Sequence, residues 1–343
     1  YLQFALIIYL MKNKSFLLLF FFLFLCQVSF AQQTILNDSN LPIMVISTDI
    51  DPDTNAPTDI PDEPKVLGSM QLIYRPDGSR NYLTDSTNES FLNYKGRIGI
   101  ELRGSSSQAL DKKPYGFTTL LQDGDSNNNV SLLGMPSEND WVLNSLAYDP
   151  SMVRDYLSYT LASNMGNYAP RVQYIEVIVN GDYKGVYFLT EKVKRDSDRV
   201  NLKKIADDDN DFPDITGGYM IKADKTTGGD EIAWTMPNYG GWDTNFLHHY
   251  PKTEDITSAQ ANYIETIFYN LADQTNPANT SIIDGYPSMI DIPSFVDYIL
   301  MAEIASNPDA YQFSTYFHKD RGGKLRAGPI WDYNLSFGND LFV

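Results

Sequence analysis

The feature that most constrains this chain is a change of hydrophobic period along its length. In the first half, apolar and β-branched residues gather in short runs of strand length. Ile98-Gly-Ile-Glu-Leu-Arg103 alternates at period two. Val172 to Val179 is strongly β-branched, and Asn180-Gly181 is a two-residue hairpin signal with Gly185 to Thr190 as the returning strand. Leu41 to Ser47, Val66 to Tyr74, Tyr115 to Leu120 and Trp141 to Leu143 also read as strands. The segment 49–64 is dense in Asp and Pro and reads as an irregular loop. Helical spacing is first met over Ser151 to Met165, where Met152, Tyr156, Tyr159 and Leu161 recur before Gly166.

Ser258 to Leu271 is a second helix and Asp291 to Ala305 the strongest. Asp291 can cap the latter, Pro293 sits in its first turn, and Ile292, Phe295, Val296, Ile299 and Leu300 make an apolar stripe. Gly218 to Lys222 is a short strand, whereas 224–252 shows no clear period. The chain closes with Phe313 to His318, a turn at 320–323, and Lys324 to Ile330. Strands first and helices later predict an α+β fold, a β-rich N-terminal lobe followed by a helical lobe.

Met11-Lys12-Asn13-Lys14 opens a basic segment, followed by a run of Phe and Leu from Phe16 to Leu25 and by Ser29-Phe30-Ala31. That is the layout of a secretory signal cleaved after Ala31. The apolar run is short for a membrane span, and Leu25 is a poor residue before a lipidated Cys26. Residues 1–10 precede this start. Cleavage would remove the single Cys of the chain, so an exported product could use neither disulfides nor thiol chemistry. The net charge of −18 argues against a nucleic-acid partner, which needs a basic face. No transmembrane segment is expected after cleavage.

Several chemistries lack their motifs. There is no His-Glu-x-x-His, no phosphate-binding Gly-x-x-x-x-Gly-Lys-Ser/Thr loop and no Gly-x-Ser-x-Gly elbow. His248 and His249 are adjacent, and neighbours on a strand point to opposite faces. The acidic tract 123–129 lacks the Gly and the final Glu of a calcium loop and reads as a solvated turn.

The informative constellation lies at the end. The helix 291–305 delivers the chain to Asn307-Pro308-Asp309, and a hairpin then returns it to Pro329-Ile-Trp-Asp-Tyr-Asn334. Asp309 and Asp332 flank that hairpin and are expected to meet. Two close carboxylates repel unless a cation or a proton lies between them. A divalent cation held with a phosphate is one answer; the other is that Asp309 merely caps a turn and Asp332 ends a strand. Upstream, Arg103-Gly-Ser-Ser-Ser107 offers a strand end and a small-residue loop to an anion, and Lys112-Lys113 follow. A third charged piece is Thr190 to Arg195, at the exit of the 172–190 hairpin.

Together these pieces resemble the spore-coat-protein-H (CotH) kinase family. The matching runs are Ile100 to Ser107 with Lys112 to Tyr115, Asn139 to Asn144, Asn180 to Tyr187 with Glu191-Lys192, Gly217 to Tyr219, and Pro329 to Gly338. They occur in family order across roughly residues 95–340. The resulting division is 1–31 as upstream residues and signal peptide, 32–94 as a β-rich lead-in, and 95–343 as the kinase-like domain. The resemblance implies a divergent protein-kinase-like fold in secreted, cell-envelope or coat proteins. It also implies ATP- and Mg²⁺-dependent (or Mn²⁺- or Ca²⁺-dependent) phosphorylation of Ser or Thr in a protein substrate.

Carried over by position, Asp309 matches the catalytic-loop Asp and Asp332 the metal-binding Asp. Arg103 and Lys113 fall in the phosphate-contacting segment, with Lys112 as a substitute and Glu191 as the partner of that lysine. Asn334 stands where many members have a second Asp. Family members lead one to expect more helical lobe beyond Asp332, so the chain is expected to be a fragment or to have a reduced lobe. The other readings are a pseudokinase or structural coat or envelope protein acting by interaction, and an exported metal-dependent hydrolase.

Overall fold

A computed structural model describes residues 35–226, 230–237, 241–275 and 279–340. The leader assigned to 1–31 lies outside them. Seven strands form a closed barrel: β1 (Ile43–Thr48), β2 (Val66–Ile73), β3 (Leu92–Leu102), β4 (Tyr115–Leu120), β5 (Asp140–Asn144), β6 (Val172–Val179) and β7 (Asp182–Glu191). Their order around the barrel is β6-β7-β5-β4-β3-β2-β1. Staves of odd number cannot alternate in direction all the way round, so one seam must be parallel. It is β1 against β6, with Ile43 opposite Glu176 and Ile46 opposite Val179. β1 and β2 come from the 32–94 segment and are staves of the same barrel as the strands that follow residue 95.

The period-two pattern has a direct structural consequence. Met44 and Ile46, Met70 and Leu72, Ile98 and Ile100, Tyr115 and Phe117, Trp141 and Leu143, Ile175 and Val177, and Tyr187 and Leu189 all share one buried core. Each pair is two residues apart, as side chains on one face of a strand must be. Residues of the other parity turn away from that core, and the same alternation carried past the pairs takes in Glu101, Arg103, Asp140 and Lys192.

Helix α1 (Arg154–Asn164) joins β5 to β6. Beyond the barrel lies a second sheet of β8 (Tyr219–Ala223), β9 (Trp234–Pro237), β10 (Asp243–Tyr250), β11 (Thr315–Lys319) and β12 (Leu325–Ala327), in the order β9-β10-β8-β11-β12. All its neighbours are antiparallel. Helices α2 (Ser258–Gln274), α3 (Tyr286–Met289) and α4 (Ile292–Ala305) accompany it. The α+β class is as the sequence led us to expect, but the part after the barrel is not a helical lobe. It is built on a five-stranded sheet, two strands of which lie in the stretch that showed no period. Among the described residues, no helix is long and apolar enough to cross a membrane.

Helix α4 begins where expected, with Asp291 accepting a hydrogen bond from the Ser294 backbone N–H at 3.1 Å. Its packing face differs from the predicted stripe. Ile292, Val296, Ile299 and Leu300 are exposed, while Ser294, Tyr298, Met301, Ala302 and Ala305 are buried. Of the predicted stripe only Phe295 packs inward, against Phe317. The helix is apolar on nearly every side, so periodicity alone could not choose a face. The small side chains of Ser294, Ala302 and Ala305 mark the side that lets neighbouring elements approach. Packing also explains the Gly217-Gly218 pair: a Cβ on Gly217 would collide with the Asp320–Arg321 backbone, and one on Gly218 with the Lys203 carbonyl.

Candidate active site

The outward-facing residues of one barrel wall bring cations together. β3 ends at Leu102, so Arg103 has the outward parity of that strand, and Lys192 has it just beyond β7. Burial pulls the Lys192 ammonium below its ordinary range; Asp140 opposes the shift, while the positive charges of Lys65, Arg103 and Lys252 add to it. Lys192 therefore senses three further cations in a chain whose net charge is −18. Burial also lowers Arg103, with Asp332, Tyr316, Tyr159 and Glu101 pulling the other way. The Arg103 guanidinium lies 5.8 Å from the centre of the Trp331 ring. Neither Arg103 nor Lys192 has a side-chain hydrogen bond or ion pair among the described residues.

Carboxylates also gather near Arg103. Asp332 is pushed up to about 6, first by burial, then by the charge of Asp309, with Asp224 adding to the rise and Arg103 and Lys225 opposing it. Asp309 is also raised, mainly by burial; Asp224 and Asp340 push it further and Lys225 offsets them. Asp309 and Asp332 thus share Asp224 and Lys225 as electrostatic neighbours. Asp224 and Lys225 follow β8, whose Ala223 pairs with Thr315 of β11, and this register brings them beside the segment leading out of Asp309. Lys225 stands 4.7 Å from the centre of the Phe313 ring.

Local structure holds both acids. Asp309 sits in the turn after α4: its N–H donates to Asn307 Oδ1 at 3.2 Å and its carbonyl accepts from Phe313 N–H at 2.8 Å. Asp332 has a left-handed backbone, φ 62°, which is uncommon outside glycine and seen most with Asn and Asp. The Asn334 side-chain amide donates to Asp332 Oδ1. Behind Asp332 lies Asp155 of α1, almost wholly buried. Burial pushes it up to about 8; the charges of Asp332 and Asp149 add to the rise, and hydrogen bonds from Tyr333 N–H and Asn144 resist it.

The structure therefore brings Arg103, Asp309, Asp332 and Asn334 into one region and leaves three expected residues out. Lys113 donates to the Gln108 carbonyl at 2.7 Å. Lys112 donates to the Val186 carbonyl at 2.5 Å and lies over the Tyr187 ring. Glu191 pairs with neither lysine: fully buried, it is bound by Arg171 at 2.8 Å and Arg199 at 3.4 Å. The expected Lys–Glu pair is thus replaced by an Arg–Glu–Arg group that ties the barrel end to the loop after it. Two guanidiniums balance a buried carboxylate there better than a lysine already anchored on a carbonyl could.

Lys192, not singled out from sequence as a site residue, is the lysine that senses Arg103. Its position was readable: it follows Glu191, and adjacent strand residues face opposite ways, so one turns to the barrel end and the other to the site. Asp224 and Lys225 carry no sequence signal, because sheet register alone brings them in.

A divalent cation fits this donor set, with Asp332 as the carboxylate that burial and a second acid leave in need of positive charge. Among the described residues, no group of three or more His, Cys, Asp or Glu is arranged to hold a metal. Mg²⁺ commonly takes one or two carboxylates and completes its shell with phosphate oxygens and water, so Asp332 with Asn334 beside it are the residues that would hold it. Arg103 is the group that senses both sets: it acts on Lys192 and on Asp332.

A search of curated proteins returned no match. The family profile described as CotH kinase protein matches residues 100–341. That span takes in the last three residues of β3, all of β4 to β12 and every residue of the two charge clusters except Lys65, and on it the chain belongs to the CotH kinase family.

Proposed function

We propose that this chain is an exported protein kinase that moves the γ-phosphate of ATP to a Ser or Thr hydroxyl of a protein substrate. The observation that supports the reading is the shared electrostatic environment of Asp309 and Asp332, with Arg103 acting on Asp332 and Lys192 in turn sensing Arg103. Asp332, with Asn334 beside it, would hold Mg²⁺, which when bound offsets negative charge on the phosphate oxygens. Arg103 and Lys192 bind and orient the phosphates. Asp309 aligns the acceptor hydroxyl and takes its proton as the hydroxyl oxygen bonds to the γ-phosphorus. The bond from that phosphorus to the β-bridging oxygen breaks, and ADP leaves with its electron pair. The raised Asp309 carboxyl is a better proton acceptor than an ordinary aspartate. Export is supported by the leader pattern of residues 11–31.

A second reading is a nucleotide-binding scaffold that transfers nothing, favoured by the neutral Asn334 beside Asp332. The test is incorporation of labelled γ-phosphate from ATP, with Mg²⁺ or Mn²⁺, into Ser-rich peptide. Transfer supports the kinase, whereas metal-dependent ATP binding without transfer supports the scaffold.

The placement of the lysines gives a separate expectation. Lys192→Ala should weaken ATP binding by roughly tenfold, the effect of losing one charge-assisted contact. Lys113→Ala, whose ammonium is already engaged by Gln108, should leave affinity within about twofold of the unmodified protein. Calorimetric titration of both variants checks this, and the reverse ranking would return Lys113 to the phosphate site.

A further inference from the structure

Asp332 owes its conformation to a neighbouring helix. Its N–H donates to Tyr159 Oη at 3.2 Å, and the next N–H, that of Tyr333, donates to Asp155 Oδ1 at 2.8 Å. Asp155 and Tyr159 are one turn apart on α1 and so lie on one helix face. They capture two successive backbone N–H groups of a turn whose first residue has φ 62°. A left-handed backbone is strained for an L-amino acid and persists where its surroundings over-determine it. Here they do so. Asn144 Nδ2 donates to the other Asp155 oxygen at 3.2 Å. The Tyr159 ring stacks on Trp331, 6.4 Å between centres and 23° between planes. Arg154, at the head of the same helix, donates Nε–H to the Ser336 carbonyl at 2.9 Å and is paired with buried Asp149.

We propose that Asp155 and Tyr159 are positioning residues for Asp332, fixing its left-handed backbone so that its carboxylate is aimed at the space it shares with Asp309 and Arg103. The proposal rests on the kinase reading, in which Asp332 holds the metal. Neither residue is assigned a contact with nucleotide or acceptor; each acts through the 332–333 backbone. Outer partners of a metal ligand commonly control affinity by 10- to 100-fold or so, so the expected effect is on metal-supported binding alone.

The test measures ATP affinity of the full chain by calorimetry with and without Mg²⁺, alongside thermal unfolding, for Asp155→Ala, Asp155→Asn, Tyr159→Phe and the reference Asp332→Ala. Tyr159→Phe keeps the stacked ring and removes only the accepting oxygen, so it carries the test even if Asp155→Ala does not fold. We expect Tyr159→Phe and Asp155→Ala to lose about tenfold of Mg²⁺-supported ATP affinity while metal-free ATP affinity stays that of the unmodified protein. Asp155→Asn, which retains an accepting oxygen for Tyr333 N–H, should restore the Mg²⁺ effect. The proposal is overturned if Tyr159→Phe and Asp155→Ala keep the full Mg²⁺ enhancement, or if both lower affinity equally with and without metal. If the folded unmodified protein shows no Mg²⁺-dependent ATP binding, the kinase reading itself fails, a result distinct from unchanged variants of a protein that does bind.

Discussion

Asp309→Asn is expected to slow phosphoryl transfer about a thousandfold, within the range for loss of a positioned general base, while Mg²⁺–ATP continues to bind. The two effects separate because the two acids have different roles. Asp309 accepts no side-chain hydrogen bond among the described residues, so its carboxylate is free to receive an acceptor hydroxyl. Asparagine preserves its size and polarity but is a far weaker proton acceptor. It also deletes a negative charge that raises Asp332, and ATP is itself an anion. Affinity for Mg²⁺–ATP should therefore be unchanged or tighter. Asp332→Ala should show the opposite pattern, loss of metal-supported binding. Single-turnover transfer and calorimetry on the same preparations separate these outcomes. A transfer rate within about threefold of the unmodified protein for Asp309→Asn would remove the base assignment.

The parts of the molecule that could be read from sequence are those fixed by local pattern. Strands β4 and β6 fall where period and β-branching put them, because each alternating run builds one wall of a barrel core. Barrel closure left no such trace. Its parallel seam joins β1 to β6, more than a hundred residues apart, and that pairing is decided by the odd number of staves. Strands β9 and β10 were hidden in 224–252, where their polar residues and the surrounding Gly and Pro mask alternation. The reversal of α4 has another cause: an almost wholly apolar helix carries no amphipathic signal, and only its small residues reveal the packed side.

The site divides the same way. The nearness of Asp309 and Asp332 was legible because a hairpin brings its own ends together. Lys112 and Lys113 were misjudged because nearness to a strand in sequence does not say which way an ammonium turns, and here both turn to carbonyl oxygens. Asp155 was invisible as part of the site, since its role depends on α1 lying against a turn almost 180 residues further on.

Replacing His249 with a ring that does not titrate, His249→Phe, is expected to remove about 2 kcal/mol of pH dependence from the unfolding free energy between about pH 6.5 and pH 4.5. Burial drives the His249 imidazole down to about 3 from 6.5, helped by the positive charges of Lys252, Lys222 and Lys192 and opposed by its hydrogen bond to Val193. Its Nε2–H donates to the Val193 carbonyl at 2.9 Å, its Nδ1 is buried without a hydrogen-bond partner among the described residues, and the ring sits edge-on to Tyr316. The sign follows from which state binds the proton. Below about pH 6.5 the unfolded chain protonates this histidine and the folded one does not, so its contribution to stability is present above 6.5 and is lost as pH falls toward 3. His248 and His318 are shifted in the same direction. Asp155 and Asp332 are raised, so they act in the opposite sense and gain stability as pH falls from about 8 and about 6 respectively toward 3.8. Asp49, Asp85, Asp140 and Asp149, among others, are lowered and lose stability as pH falls, so a single curve would not isolate His249. The difference between two curves does, because the other histidines and the acids contribute equally to both. Losing the Val193 hydrogen bond shifts the curve of the His249→Phe variant by a constant and leaves its slope to report the imidazole. Urea unfolding of both proteins at several pH values gives the comparison. Parallel curves would mean that His249 takes up its proton in the folded state, and would require Nδ1 to reach water or an acid beside the Lys192 and Lys252 cluster.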